Sequence, residues 1–242
     1  MKTKNRLLDT PLYIYQDDDW FKFSLDSVLL AKFVTLNLRH KKIMDFATGN
    51  APIPLLLSFR TNAWIYGVEI QKCIYDLAVE SVLEDNKKGQ INLICGDVRD
   101  LKNSFDSDCF DVITCNPPYF KTSNVDFLNN NAVKSLARHE ITLTLEDVLE
   151  QASYLLKTGG IFAMVHRTER LVEIIEVMKK FHIEPKKIQF IYPKMGRDSD
   201  LFLIEGIKNG KSGIKMLAPL IIHNDDNTYT EDVLDILNFD MR

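Results

Sequence analysis

"KKIMDFATGNAPIPLLLSFR", residues 41–60, decides the fold. It opens as a short apolar strand, "KKIMDFA", and closes as an apolar helix, "PIPLLLSFR", whose proline falls in the first turn, where a missing N–H costs nothing. The turn between them, "ATGNA" (Ala47 to Ala51), is made of small residues. A strand passed to a helix in this way is the first half of a βαβ unit, so a parallel partner strand should follow.

It does, repeatedly. "AWIYGVEI" is a second strand, and "IYDLAVESVLEDN" a helix with Ile74, Leu77, Ala78, Ser81 and Val82 on one face. "INLICGD" and "FDVITC" are strands three and four. A helix is predicted from near Thr144, with Leu145, Val148, Leu149, Ala152, Leu155 and Leu156 facing inward and "KTGG" stopping it through a left-handed glycine. "IFAMVH", the helix "TERLVEIIEVMKKF", and the strands "KKIQFIYP" and "DLFLIEGIK" continue the pattern. A tail, "IKMLAPLIIH", precedes a short helix from about Thr230, with "TYTE" from Thr228 as its capping box. Alternating strands and helices imply right-handed crossovers and an open, mostly parallel twisted sheet covered by helices on both faces.

Upstream, residues 1–40 form an extension to the domain of residues 41–242. After a polar start, "LYIYQDDDWFKFS" reads as a hairpin turning at "QDDD", and "LDSVLLAKFVTL" as a helix. The segment 121–138 is polar, asparagine-rich and aperiodic, which predicts a long loop of the kind that serves as a lid or is disordered.

At 242 residues and 45% hydrophobic, the chain can bury the core of one large α/β domain. No apolar run approaches the roughly 18 residues that span a bilayer, and the N-terminus has no leader pattern, so a cytoplasmic protein is expected. Four cysteines without a C-x-x-C pair fit small buried hydrophobes better than ligands or disulfides; no metal is expected. A net charge of −4 excludes a general basic field for nucleic acid. A nucleic-acid partner would therefore have to meet local patches: Lys2, Lys4 and Arg6; Lys186 and Lys187; Lys194 with Arg197; or Lys208, Lys211 and Lys215.

In open α/β sheets ligands bind beyond the carboxyl ends of the strands, where strand order reverses. Those ends read "DFATGNA", "GVEI", "CGDV" and "CNPPYF", which brings Asp45, Glu69, Asp97 and Asn116 to one rim. The small turn containing Ala47 and Gly49 allows backbone to approach a ligand, although it carries one glycine where dinucleotide loops have three. Glu69, at the tip of the second strand, stands where nucleotide-binding folds place an acceptor for ribose hydroxyls. Asp97 can accept from an exocyclic amine, or simply shape a turn.

Asn116, Pro117, Pro118 and Tyr119 carry the most specific signal. Prolines fix φ and remove donors, so this loop presents acceptors at a rigid angle. The Asn116 side-chain oxygen and the Pro117 carbonyl can together hold both hydrogens of a planar amino group, while Tyr119 and Phe120 stack on the ring that bears it. An exocyclic amine is a poor nucleophile, and accepting its protons raises electron density on nitrogen. A methyl on a sulfonium could then be attacked directly, with positioning and preorganised electrostatics supplying the rate.

These motifs resemble the class I S-adenosylmethionine-dependent methyltransferases of the amino-methylating kind, with an (N/D)-P-P-(Y/F/W) motif. Within that group the chain resembles the bacterial family that methylates N6 of the adenosine 3′ of the anticodon in a valine tRNA. The resemblance runs from "KFSLDSVLLAKF" through "DFATGNAPIPLLLS", "VEI", "GDV" and "NPPYF" to "ARHEITLTLEDVL" and "GKSGIKMLAPLIIHNDDNTYTEDV". It implies a Rossmann-like, seven-stranded sheet whose last strand is antiparallel, with Asp45, Ala47, Gly49, Glu69, Asp97 and Asn116 around the methyl donor. It also implies Asn116 to Tyr119 at the target base and RNA as partner, with no obligate protein partner. Ala47 and Ala51 depart from the pattern, since many relatives have glycine there. The N-terminal lysines and the loop of Lys194 and Arg197 would meet phosphates, Phe120 would face the substrate, and segment 121–138 would order over a flipped base. Arg138, His139 and Glu140 are expected to form an ion-paired helix start.

Release-factor glutamine methyltransferases and DNA or rRNA adenine methyltransferases share the amino-methylating chemistry. The former usually carry a long N-terminal helical domain, and the DNA enzymes need a recognition domain for which no span here is large enough. A non-catalytic RNA-binding protein that keeps only the fold is opposed by the intact motif.

Overall fold

The computed structural model describes residues 2–8, 10–17, 24–117 and 143–238. Its frame is a nine-stranded sheet built from β3 (Lys42–Phe46), β4 (Trp64–Glu69), β5 (Ile91–Cys95), β6 (Phe110–Cys115), β7 (Leu156–Arg167), β8 (Ile183–Lys194), β9 (Leu201–Lys208), β10 (Lys215–Met216) and β11 (Leu220–His223). The order is β10-β8-β9-β7-β6-β3-β4-β5, with β11 on the same strand, β8, as β10. From β3 the chain steps outward through β4 to β5, then returns to place β6 on the other side of β3. The strand order therefore reverses between β3 and β6, where Asp45 pairs Thr114 and Phe46 pairs Cys115. β9 is antiparallel to both β7 and β8, as expected for the last strand of the central seven. The tail "IKMLAPLIIH" adds two strands beyond those seven, because β10 and β11 pair in parallel with successive stretches of β8.

Each face of the sheet carries its own apolar cluster, and the strands alternate between them as period-2 patterning requires. On β7, Ile161, Ala163 and Val165 join one cluster while Phe162 and Met164 join the other. The first is covered by α1 (Leu25–Phe33), α2 (Pro52–Arg60) and α6 (Glu231–Leu237). The second is covered by α4 (Leu145–Leu155), α5 (Leu171–Lys180) and the 3-10 helix Val98–Asn103. α3 (Lys72–Glu84) buries Ile74, Ala78, Ser81 and Val82, the face predicted for it, with Leu77 half-buried.

Four local expectations are corrected. The polar start is a strand: β2 (Tyr13–Asp17) pairs antiparallel with β1 (Lys2–Arg6), which puts Gln16 and Asp17 of "QDDD" inside β2, while residues 18–23 lie outside the described residues. The hairpin lies on α3, where Ser81 Oγ accepts from Tyr15 N at 2.9 Å and Asp85 Oδ1 from Tyr13 N at 2.9 Å. Second, "KTGG" does not cap α4. The helix ends at Leu155 and the strand begins at once, with Gly159 at φ 82° inside β7 and a register shift opposite β6 between Phe110 and Val112. Third, the cap of α6 is Thr230, whose hydroxyl accepts from Val233 N, while Thr228 turns to Asp226. Fourth, only Cys115 is buried; Cys109 is half-buried and Cys73 and Cys95 are exposed, all four as free thiols.

Candidate active site

Beneath the rim at the switch point lies Asp45, fully buried on β3. Its two carboxylate oxygens accept from Thr48 Oγ1 at 2.7 Å and Thr114 Oγ1 at 2.6 Å. Burial pushes its pKa up to about 7 against the opposing pull of these hydrogen bonds, and the nearby Glu69 charge adds to the rise. Asp45 thus fastens the turn after β3 to the end of β6. The bracket needs Gly67, its partner on β4: a Cβ there would stand 2.9 Å from Thr48 Oγ1.

The turn itself alternates into left-handed backbone, with φ of 51° at Ala47, 59° at Gly49 and 69° at Ala51. Glycine adopts this freely, whereas alanine is strained by about 1 kcal/mol or more. Neighbouring bonds hold it in place. Thr48 N donates to Val68 O at 2.9 Å, and Asn50 Nδ2 donates to Tyr15 O at 3.0 Å, which braces the turn against the hairpin. Glu69, nearly buried, accepts from Gly49 N at 3.0 Å and Gln71 N at 2.9 Å. Burial raises its pKa while these backbone donors oppose the rise. Asp97 caps the 3-10 helix by accepting from Arg99 N at 2.9 Å, and the Arg99 guanidinium holds its carboxyl below the usual range.

Ala47, Glu69 and Asp97 meet in one cleft over the tips of β3, β4 and β5, completed by Val68, Ile70, Gly96, Val98 and Leu143. Two carboxylates facing apolar walls suit a cationic nucleoside: the acids offer acceptors to hydroxyls and amines, and Ile70, Val98 and Leu143 offer area to a flat base. The turn leaves room for it, since a Cβ built on Gly49 meets nothing within 4 Å. The residues present therefore fit S-adenosylmethionine.

Asn116 and Pro117 follow β6, and since Cys115 pairs Phe46, Asn116 comes one residue past the strand end, as Ala47 of the cleft does on β3. Asn116 Nδ2 donates to Ser27 Oγ of α1 at 3.0 Å. Pro118, Tyr119 and Phe120, the segment 121–138, and Arg138, His139 and Glu140 lie outside the described residues.

A model of a family described as "Methyltransferase domain" matches residues 37–198. The chain belongs to that methyltransferase family. Among curated relatives, the "tRNA1(Val) (adenine(37)-N6)-methyltransferase" of Bacteroides thetaiotaomicron is 29% identical over 90% of this chain and 91% of its own. That of Flavobacterium johnsoniae is 28% identical over 92% and 93% respectively. Among solved structures, one titled "a predicted O-methyltransferase", from Agrobacterium tumefaciens, superposes with a TM-score of 0.70 at 22% identity, covering 88% of this chain and 96% of that one. The likeness extends to a geranyl diphosphate C-methyltransferase of Streptomyces coelicolor, solved with S-adenosyl-L-homocysteine, at TM-score 0.58 and 12% identity over 75% of this chain and 76% of the other.

The basic residues of this methyltransferase are largely engaged. Lys2 and Lys4 pair with Glu80 and Glu84 of α3, so they pin the hairpin. Lys187 is bonded to Glu205, and Lys208 to Asp108. Lys194 and Arg197 stand at the carboxyl end of β8, on the same rim as the cleft, around a shallow depression with Asp198, Asp200 and His223. There Lys194 Nζ donates to Asp225 O at 3.0 Å. Sequence reasoning misses Ser27, Thr48, Thr114, Ile70, Val98 and Leu143. Only the "DVR" spacing, which lets Asp97 cap its own helix, leaves a signal in the sequence.

Proposed function

We propose that the protein transfers a methyl group from S-adenosylmethionine to N6 of an adenine in tRNA, at the anticodon-loop adenosine 3′ of the anticodon. The observation that supports this reading is the adjacency of β3 and β6 where strand order reverses, which ends Asn116's strand beside that of Ala47 of the acid-lined cleft. S-adenosylmethionine is the methyl donor, and it supplies an electrophilic methyl carried on a sulfonium. Glu69 and Asp97 would hold its nucleoside and the turn from Ala47 to Ala51 its other end, while buried Asp45 keeps that turn in shape. Asn116 Oδ1 and the Pro117 carbonyl accept the hydrogens of the target amine, and Pro118, Tyr119 and Phe120 complete the grip on its ring. As the N–CH3 bond forms and the S–CH3 bond breaks, the amine's surplus proton leaves through its hydrogen bond to Asn116 Oδ1 or the Pro117 carbonyl and passes to water, so neither acceptor has to carry a charge.

Residues 1–40 serve in this reading as a hairpin and helix added to a methyltransferase domain of residues 41–242. Lys194 and Arg197 are the phosphate contacts. No described helix is long and apolar enough to cross a membrane, and the cytoplasm, where tRNA is held, is the compartment this substrate implies. The relatives' shared name favours tRNA over the other substrates of this chemistry. The test is incubation with labelled S-adenosylmethionine and, separately, unmodified tRNA, rRNA, DNA and a release factor, followed by digestion of the product. N6-methyladenosine from tRNA is expected; label in any of the others would replace this reading.

A further inference from the structure

An asparagine amide is nearly symmetrical in shape and opposite in chemistry at its two ends: the oxygen accepts and the nitrogen donates. A site that must accept hydrogens from an amine works with only one seating, because the other sets N–H against N–H. A contact on the nitrogen's side helps to hold that seating. In this structure one such contact is with Ser27, in the first turn of α1 and 5% exposed, whose Oγ accepts from Asn116 Nδ2 at 3.0 Å across 89 residues of sequence. With Nδ2 committed to α1, Oδ1 is turned the other way.

The helix that carries Ser27 is itself fixed along its length. Val28, Leu29, Leu30 and Ala31 are buried against the sheet. At the far end, Lys187 Nζ donates to Phe33 O and Thr35 Oγ1, each at 2.8 Å, and ion-pairs with Glu205 at 3.0 Å. Glu205 Oε2 in turn accepts from Thr35 N at 2.7 Å. Lys187 and Glu205 come from β8 and β9, so α1 reaches from the antiparallel part of the sheet to the tip of β6. A helix seated this firmly can hold a hydroxyl at a set point.

We infer that Ser27 is a positioning residue for methyl transfer: it anchors the Asn116 amide through Nδ2 to a fixed helix, so that the amide meets the target amine at a set place and angle. The inference rests on the amine-methylating reading above. Ser27→Ala should lower kcat on tRNA roughly ten- to a hundredfold, the effect of one lost hydrogen bond at a reacting group. The dissociation constant of S-adenosylmethionine, KM for tRNA and Tm should stay near wild type. Ser27→Thr, which keeps the hydroxyl, should restore most of the rate. On an Asn116→Ala background, Ser27→Ala should cost nothing more, since the amide it orients is gone.

An unchanged kcat in Ser27→Ala would overturn the inference, and so would the same fold-loss repeated on the Asn116→Ala background. A readout independent of catalysis separates this from failure of the functional reading. In the wild type the Asn116 side-chain amide should give two well-dispersed 15N-correlated proton signals, which Ser27→Ala collapses toward the free-amide position. If wild-type protein methylates no nucleic acid, the functional reading fails. The amide signals still decide, and signals untouched by Ser27→Ala would sink the positioning role.

Discussion

At the tips of β3, β4 and β5 the chemically active side chains are carboxylates already bonded to their own protein, whereas at the tip of β6 the group is a neutral amide held by a neutral hydroxyl. Asp45 is taken up by two threonines, Glu69 by two backbone N–H groups and Asp97 by Arg99. A carboxylate has about four lone-pair sites, so Glu69 and Asp97 can shape a loop and still accept from a ligand. Asn116 has no charge to offer, and the methylation chemistry asks for none: it needs only that an acceptor face the amine. In the reaction proposed above, binding and activation are divided between neighbouring strands.

Breaking the acidic half should give the largest effect on donor binding. Glu69→Ala removes both the tether on Gly49 and an acceptor in the cleft, and S-adenosylmethionine affinity measured by calorimetry should fall about ten- to a hundredfold. Gly67→Ala tests the layer beneath: its Cβ meets Thr48, and either Thr48 leaves Asp45 or β4 shifts. Urea unfolding should show a loss of about 1–3 kcal/mol, with weaker donor binding alongside.

The buried acid also predicts a pH signature. Because the folded pKa of Asp45 lies at about 7, above its unfolded value, the folded state binds the extra proton more tightly. Its contribution to stability is full below about pH 4 and is lost as pH rises through 7. His166, buried and lowered to about 4, runs the opposite way and gains stability as pH rises from 4 towards 6.5. The overall profile mixes the two, so the test is the difference between wild type and Asp45→Asn, which should change steadily between pH 4 and 7 and be flat outside that window.

The smallest effect is expected at the strained turn. Ala51→Gly relieves left-handed backbone worth about 1–2 kcal/mol and loses roughly 0.4–1 kcal/mol through unfolded-state entropy, for a small net gain in thermal unfolding. A loss instead would mean that the methyl of Ala51, which is fully buried, contributes more through packing than its strain costs.

Much of this division is legible in the amino-acid sequence. Apolar alternation locates the strands, and the reversal rule then places Asp45, Glu69, Asp97 and Asn116 on one rim. What escapes has no local pattern. β1, "KTKNR", is exposed along nearly its whole length, so no face of it is marked apolar. "KTGG" carries the same glycines whether it ends a helix or bends a strand. Ser27 is one serine in an apolar helix, and its meaning lies 89 residues away. Strand-end reasoning makes Asp45 a lining residue; its complete burial between two threonines is a tertiary fact beyond the reach of that rule.

The division between binding and activation is tested most directly in Asn116→Ala, by measuring S-adenosylmethionine affinity and the single-turnover rate of N6-methyladenosine formation in tRNA on the same preparation. The account predicts donor affinity within about threefold of wild type and a rate lower by roughly 10²–10³. Loss of both together, or a rate left intact, would contradict it.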